Sequence, residues 1–142
     1  MLRVAKLTDY ALVLLTHLAE CEQSAVSAQA LAERSQLHLP MASKALKRLA
    51  QAGVIVSTRG SQGGYSLAKP AAATRVLDVV ECMEGPLGIA PCTSADHDCE
   101  LLSHCGLRPH WAVINHRIRA ELARLSIADL CRPPIPSLLE LS

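Results

Sequence analysis

The stretch "LPMASKALKRLAQAGVIVSTRGSQGGYSLA", residues 39–68, contains the clearest structural pattern of the sequence. In its first half, from Pro40 to about Ala52, apolar residues recur three and four positions apart, and a glycine follows directly. This pattern predicts an amphipathic helix with a proline at its start and a glycine stop. The second half holds two short β-type runs, residues 54–57 and 65–68, separated by the glycine-rich segment "TRGSQGG". Such a pair of runs predicts a β-hairpin.

The predicted helix has two faces of opposite character. Its apolar stripe consists of Ala42, Ala45, Leu46 and Leu49. Its polar side consists of Ser43, Lys44, Lys47, Arg48 and Gln51. The stripe is therefore expected to enter the core, and the polar side is left for solvent or a partner.

Four further helices are predicted around this stretch, at about residues 8–21, 27–35, 74–84 and 109–125. Thr8 and Ser27 are available as N-caps of the first two. The order of helix, short helix, turn, polar-faced helix and hairpin is that of a winged helix-turn-helix. The predicted fold class is mainly α: a winged helix-turn-helix DNA-binding domain with a small β-hairpin wing and a long C-terminal dimerisation helix.

The charge distribution points to an anionic partner, although the net charge is only +1. Residues 34–77 contain no Asp or Glu but seven basic residues. A basic middle third within a neutral protein is typical of a nucleic-acid-binding face, whereas any single lysine there is more simply a solvated one. With the predicted helix order, the distribution favours binding of double-stranded operator DNA.

Candidate DNA contacts follow from position on the predicted helix and hairpin. Ser43 and Lys44, near the start of the helix, are best placed for base edges, and Lys47 and Arg48 for phosphates. Arg59, with Gly60 beside it at the hairpin tip, suits insertion into a narrow minor groove.

A second constellation lies in the stretch "PCTSADHDCELLSHCGLRPHW", residues 91–111. Its spacing is Cys92-x6-Cys99-x5-Cys105, without the close Cys-x2-4-Cys pair of usual zinc sites. Three thiolates on a wide loop favour an iron–sulfur cluster, while zinc and thiol redox chemistry remain open alternatives. The other cysteines, Cys21, Cys82 and Cys131, are assigned to packing.

Several function classes are not supported by the sequence. The first 21 residues superficially resemble a signal peptide, but Asp9 interrupts a short apolar run, and no stretch approaches the ~20 apolar residues that span a membrane. A cytoplasmic protein with reduced cysteines is therefore expected. No local signature of a Ser, Cys or His nucleophile is present, so neither an enzyme nor a small-molecule substrate is predicted.

With these residues placed, the chain resembles the Rrf2 family of winged-helix iron–sulfur and nitric-oxide regulators, which includes IscR and NsrR. The resemblance covers about residues 1–130 and is carried by "KLTDYALVLL", "RGSQGGYSL", "EGPLG" and the three cysteines followed by Trp111. Its details look closest to the branch of SUF-system iron–sulfur assembly regulators. The resemblance implies a homodimer that crosses two long C-terminal helices and carries a cluster in each subunit.

The resemblance also implies site residues. It makes Cys92, Cys99 and Cys105 the cluster thiolates, Arg59 the minor-groove residue, and the face around Ser43 and Lys44 the reader of bases. Arg108 stands where assembly regulators of the IscR kind have a histidine. Asp9 matches an aspartate that nitric-oxide sensors supply from the partner subunit. His104 and His110 compete for the role, so both the fourth ligand and the choice between [2Fe-2S] and [4Fe-4S] stay open.

Four segments are therefore expected: residues 1–84 as the winged helix-turn-helix region, 85–108 as the cluster loop, 109–130 as the dimerisation helix and 131–142 as a tail. The expected function is transcriptional regulation that senses iron–sulfur status and controls SUF-type assembly genes. The alternatives are a nitric-oxide or redox-sensing repressor on the same scaffold, or a zinc- or thiol-based redox protein. The sequence leaves open which form binds DNA, whether binding represses or activates, and which operator is read.

Overall fold

The predicted winged helix-turn-helix order is present in a computed structural model that describes residues 3–21, 24–94, 99–101 and 103–134. The described chain is mainly helical, with one two-stranded antiparallel hairpin, as the sequence predicts. The helices are α1 (Lys6–Ala19), α2 (Ala28–Ser35), α3 (Leu39–Gln51), α4 (Val76–Glu84), α5 (Arg108–Arg124) and α6 (Ile127–Leu130). The strands are β1 (Ile55–Thr58) and β2 (Gly64–Leu67), and a single 3₁₀ turn covers Ala71–Ala73.

The core lies between α1 and α3, with α2, α4 and α6 around them. The whole predicted stripe of α3 is fully buried, as the helical period requires. It packs against a matching stripe of α1 that consists of Ala11, Leu14, Leu15 and Leu18. Burial of this stripe fixes which side of α3 is left on the surface.

The predicted N-cap of α1 was wrong. Helix α1 begins at Lys6, and its N-cap is Ala5, whose side chain cannot accept a hydrogen bond. Thr8 lies inside the first turn and is only 1% exposed. The carboxylate of Glu84, at the end of α4, accepts a hydrogen bond of 2.8 Å from the Ala5 N–H instead. The Thr8 N–H itself donates to the Ala5 carbonyl at 2.9 Å, so the helix has already begun before Thr8 and Thr8 cannot be its cap.

Ser27 caps α2 as predicted, because its hydroxyl accepts a hydrogen bond of 3.1 Å from the Ala30 N–H. The helix ends at Gln36, which adopts a left-handed conformation with φ 56°. The Leu37 N–H then donates to the Ala32 carbonyl at 2.9 Å. This tight ending turns the chain directly into α3.

The wing is anchored to the start of α2. In the hairpin, Ile55 pairs with Leu67 and Thr58 with Gly64. Tyr65 also exchanges two backbone hydrogen bonds, of 2.9 and 2.8 Å, with Val26. A Cβ atom on Gly64 would lie 2.4 Å from the Val26 carbonyl oxygen, so only glycine permits this close approach.

The last long helix ends near residue 125, as the sequence predicts, and the expected segment 109–130 also contains a separate short helix. Helix α5 ends at Arg124, Leu125 is extended, and α6 begins after Ser126. The Val76 N–H donates to the Leu125 carbonyl at 2.9 Å, and the Ile127 side chain is fully buried in the core. Helix α5 therefore joins the winged helix-turn-helix body through α4, whereas α6 packs on α1 as part of that body.

Replacing Ser126 with alanine is expected to destabilise the fold in a pH-dependent way. Hydrogen bonds from the Ser126 hydroxyl and N–H lower the pKa of Asp129, against a small effect of burial. Because the pKa is lower in the folded state, the stabilisation is complete above the usual aspartate pKa of about 4 and is lost as pH falls through the lowered value. The destabilisation caused by S126A, measured by urea unfolding, should therefore shrink below about pH 4.

The matched control is S27A, which removes a cap from α2 that involves no carboxylate. Loss of such a cap costs about 0.5–2 kcal/mol. The cost of S27A should be the same at neutral and acidic pH. Equal pH dependence in both variants would contradict the role assigned to Asp129.

Candidate nucleic-acid interface and cysteine loop

The outer side of α3 is a free polar surface. Lys44, Lys47 and Gln51 are exposed and lie opposite the buried stripe on a helix of 3.6 residues per turn. Ser43 is half-buried at one flank. Among the described residues, no carboxylate lies within 4.0 Å of either lysine. These cations are thus available to an anionic partner.

Arg48 lies at the other flank of α3, toward α4. Burial raises the pKa of the Cys82 thiol on α4, and the charge of Arg48 acts against that rise while Asp78 adds to it. Arg48 is exposed, but it shares its surroundings with Asp78. Lys44 and Lys47 are therefore the central cations of the α3 surface, and Arg48 is a marginal one.

The tip of the wing carries Arg59, which is exposed. A turn follows it, closed by a hydrogen bond of 3.0 Å from the Gly63 N–H to the Gly60 carbonyl. Gly60 has φ 116°, a conformation that favours glycine. A Cβ atom on Gly63 would lie 2.2 Å from the Thr58 carbonyl oxygen. The glycines thus permit the narrow turn beside Arg59.

Cys92 sits in a well-defined turn. The Ala90 carbonyl accepts hydrogen bonds from the N–H groups of Thr93 and Ser94, at 2.8 and 3.0 Å. The Thr93 hydroxyl accepts a further bond of 3.0 Å from the Ala90 N–H. Gly88 packs so closely that an added Cβ would lie 2.5 Å from the Ser94 Cα. The backbone around Cys92 is therefore held by local contacts on both sides.

The three loop thiols are free and half-buried. Soft donors that are uncommitted and partly accessible fit an iron–sulfur cluster or zinc by their chemistry. In the parts of the chain that are described, however, no three His, Cys, Asp or Glu side chains stand close enough together to hold a metal ion. Residues 95–98 and 102, between the cysteines, lie outside the described residues. The predicted ligand set Cys92, Cys99, Cys105 and Asp9 therefore stays a prediction.

The candidate fourth ligands differ in position. Asp9 is exposed in the first turn of α1, and His104 and His110 are exposed at the loop end and the start of α5. His116 was not singled out from the sequence, yet it lines a cavity of about 320 Å³ together with Cys92. Its sequence separation from the cysteines fits no metal-ligand motif. Only the packing of the loop on α5 shows that it lies near Cys92.

A polar cluster that the sequence did not reveal ties the loop to two helices. Asn115 on α5 accepts a hydrogen bond from the Ile89 N–H and donates one to the Leu87 carbonyl, both at 3.2 Å. Glu81 on α4 accepts one of 3.0 Å from the Leu87 N–H and forms an ion pair with Arg119 on α5. Burial acts to raise the pKa of Glu81, but these hydrogen bonds and the Arg119 charge outweigh it and hold that pKa below the usual range.

The remaining cysteines have packing or hydrogen-bonding partners. Cys21 is half-buried and accepts a hydrogen bond of 2.7 Å from the Arg34 guanidinium. Cys82 is half-buried beside the core. Cys131 is exposed, although its thiol donates to the Ile127 carbonyl at 3.3 Å. The packing assignment thus fits Cys82 better than Cys131.

Helix α5 has no buried residue over its 17 positions. Its exposed apolar side chains include Trp111 and Ile114, which are 38% and 42% exposed. None of the helices in the described ranges has the length and apolar character that a membrane crossing requires. Helix α5 therefore presents an unpartnered apolar surface beside the cysteine loop.

Comparison with known proteins decides the family. Residues 4–133 match the sequence model of the Rrf2 family, described as iron-dependent transcriptional regulators. This chain belongs to the Rrf2 family. Its members are transcriptional regulators, so the chain is assigned to transcription regulation and DNA binding, and no enzymatic family is indicated.

Individual relatives support the assignment. A protein of Azotobacter vinelandii whose name places it among the HTH-type transcriptional regulators, ORF2, is 27% identical over 122 residues, which cover 85% of this chain and 74% of the relative. IscR of T. potens is 26% identical, with a TM-score of 0.70 over 91% of this chain and 85% of its own. CymR of B. subtilis, titled the global cysteine regulator, is 24% identical with a TM-score of 0.74, over 92% and 97% of the two chains. The last similarity concerns the fold alone.

The relatives confirm the predicted family and regulator class, and they do not distinguish the branch of SUF-system regulators from other branches. Both IscR and CymR resemble this Rrf2 chain in structure. The mainly α winged-helix fold and the regulator class are thus established. Assignment to iron–sulfur sensing and to SUF-type genes requires a separate argument.

Proposed function

We propose that this Rrf2 protein is a cytoplasmic, homodimeric regulator whose affinity for operator DNA responds to an iron–sulfur cluster on Cys92, Cys99 and Cys105. One observation carries the proposal: three free, half-exposed thiols follow residues 87–89, which are hydrogen-bonded to Glu81 on α4 and Asn115 on α5. The description of the family as iron-dependent agrees with it. The proposed targets are SUF-type assembly genes.

DNA binding in this proposal uses α3 and the wing. A helix of 13 residues is about 20 Å long and fits a major groove. Ser43 and Lys44 read base edges. Lys47 and Arg48 both contact phosphates. Arg59, supported by Gly60, enters the adjacent minor groove. The free cations on α3 and the exposed wing tip support these roles.

Dimerisation in this proposal uses α5. A helix with exposed apolar side chains and no buried residue is stabilised by pairing with its copy in a second subunit. Two-fold pairing would present two α3 helices to half-sites about one DNA turn, roughly 34 Å, apart. An operator with two-fold symmetry is therefore expected.

The cluster is bound by the three thiolates and by one weaker, non-thiolate ligand. Asp9 is proposed for that position, supplied from the second subunit, because it is exposed on α1 and matches the family pattern. When bound, the group supplies an iron centre that oxidants, nitric oxide or iron limitation can destroy. A ligand shared between subunits would link cluster binding to the relative position of the two winged bodies.

Anaerobic reconstitution with ferrous iron and sulfide tests this proposal. The expected result is visible absorbance of a cluster with iron and sulfide bound in stoichiometric amounts per subunit. A colourless protein that binds one zinc ion per subunit would contradict cluster binding. Footprinting of both forms on the protein's own upstream region would then identify the operator and the form that binds it.

The second candidate function is thiol-based redox sensing on the same scaffold. The three loop cysteines are free and partly accessible, which thiol oxidation requires. A disulfide between two loop cysteines after mild oxidation, combined with failure to take up iron, would favour this function over cluster sensing.

A further inference from the structure

We infer that Asn115, together with the Glu81–Arg119 ion pair, is a positioning device that fixes Cys92 before any cluster binds and joins residues 87–92 to the DNA-reading body, which consists of α1–α4 and the wing. The inference rests on the proposed function for its regulatory meaning. The position of Cys92 itself, however, can be tested in metal-free protein.

The first support is the way Asn115 uses its side chain. Its amide oxygen and nitrogen bind the Ile89 N–H and the Leu87 carbonyl, each at 3.2 Å. A side-chain amide carries one acceptor and one donor group, and here both groups bind the same short backbone segment. Asn115 thereby forms the two hydrogen bonds that a neighbouring β-strand would form with this segment, and it satisfies two backbone groups of the loop. Asn115 is half-buried, so water competes little for these bonds.

The second support is the short connection from this segment to Cys92. Ile89 is followed directly by Ala90, whose carbonyl closes the turn that contains Cys92. Asn115 and Arg119 also line the cavity of about 320 Å³ onto which Cys92 opens. A thiol held in this way is pre-organised. Less conformational entropy of the loop is therefore lost when the thiol binds a ligand.

The third support is the connection to the DNA-reading body. Glu81 lies on α4, which packs against α1 and α3 as well as against α5. Its carboxylate accepts hydrogen bonds from the Leu87 N–H and from two nitrogens of Arg119. Displacement of Leu87 would therefore leave a partly buried carboxylate with fewer partners, and this cost opposes independent movement of the loop. Residues 87–94, α4 and α5 are thus expected to move together.

The test is the alkylation rate of Cys92 in reduced, metal-free protein, followed by peptide mass spectrometry. Loss of the two Asn115 hydrogen bonds in N115A is expected to speed alkylation of Cys92 by about tenfold. N115D keeps the acceptor for Ile89 but loses the donor for Leu87, so an intermediate rate is expected. Cys131, which is exposed and remote in the chain, serves as the internal reference.

The matched control is H116A. His116 is the next residue on α5 and lines the same cavity, but it makes no hydrogen bond to the loop among the described residues. Its substitution should leave the Cys92 rate unchanged. Equal rates in wild type, N115A and N115D would overturn the inference, as would an acceleration in H116A as large as that in N115A. Circular dichroism and thermal unfolding show whether each variant folds. If N115A does not fold, the alkylation rate of Cys92 in N115D decides the test.

A second arm measures release of iron to a chelator after reconstitution. N115A and E81Q are expected to lose the cluster several-fold faster than wild type. If wild-type protein takes up no cluster, the proposed function fails, but the alkylation rates still decide whether Asn115 positions Cys92. If wild-type protein takes up the cluster normally but Cys92 is alkylated at the same rate in N115A and N115D, the inference fails while the proposed function stands.

Discussion

Replacing Lys44 and Lys47 together with glutamine is expected to abolish operator binding at physiological salt. Both side chains lie at the centre of the exposed α3 surface, and no carboxylate among the described residues neutralises them. Each specific base contact is worth about 1–3 kcal/mol, and loss of a phosphate contact lowers the salt dependence of binding by about one unit. The double variant should therefore lose about 1–3 kcal/mol in binding free energy per half-site from the Lys44 base contact, and its salt dependence should fall by about one unit per half-site from the Lys47 phosphate contact.

Fluorescence anisotropy over a salt series measures both quantities. The matched control replaces Arg124 and Arg132 with glutamine, which removes the same charge from exposed positions in the C-terminal region. A general electrostatic effect would weaken both double variants equally. Unchanged affinity in K44Q/K47Q would place the DNA interface away from α3.

Replacing Cys92 with serine is expected to eliminate the cluster altogether. Iron–sulfur clusters are held mainly by thiolates, and a serine hydroxyl is a harder donor that stays protonated near neutral pH. After anaerobic reconstitution, C92S should show background iron and no visible absorbance. The fold should persist, because Cys92 is only half-buried and lies outside the hydrophobic core.

The control for this variant is C131S, since Cys131 is exposed and is not a proposed ligand. It should reconstitute to the same iron content as wild type. Full absorbance in C92S would remove Cys92 from the ligand set and would favour a site built from other residues.

The elements around α3 were predictable because their causes are local. The 3.6-residue period of its apolar stripe and the glycines of the wing are properties of short segments, and both are present in the structure. The cap at Ser27 also depends only on a nearby N–H. In contrast, Thr8 matched a cap pattern and was misassigned: α1 begins two residues earlier, at Lys6, and the N–H of its N-cap residue Ala5 donates to the distant carboxylate of Glu84.

The parts that sequence did not reveal depend on contacts between distant segments. The pairing of Val26 with Tyr65, the hydrogen bond between Val76 and Leu125, and the Asn115 contacts each join residues far apart in the chain. No periodicity or motif marks a single asparagine as the partner of a loop backbone. The thiol chemistry of the loop was visible from spacing, but its supporting side chains were visible only after folding.

The decisive measurement for iron–sulfur sensing is the operator affinity of one anaerobic preparation, with the cluster bound and after its removal by a chelator. Coupling between two sites of a protein typically changes affinity by about 5–150-fold. A change within that range, in either direction, is expected, and it should be absent in C92S. Equal affinity of the cluster-bound and metal-free wild-type protein would contradict the claim that this Rrf2 regulator senses iron–sulfur status.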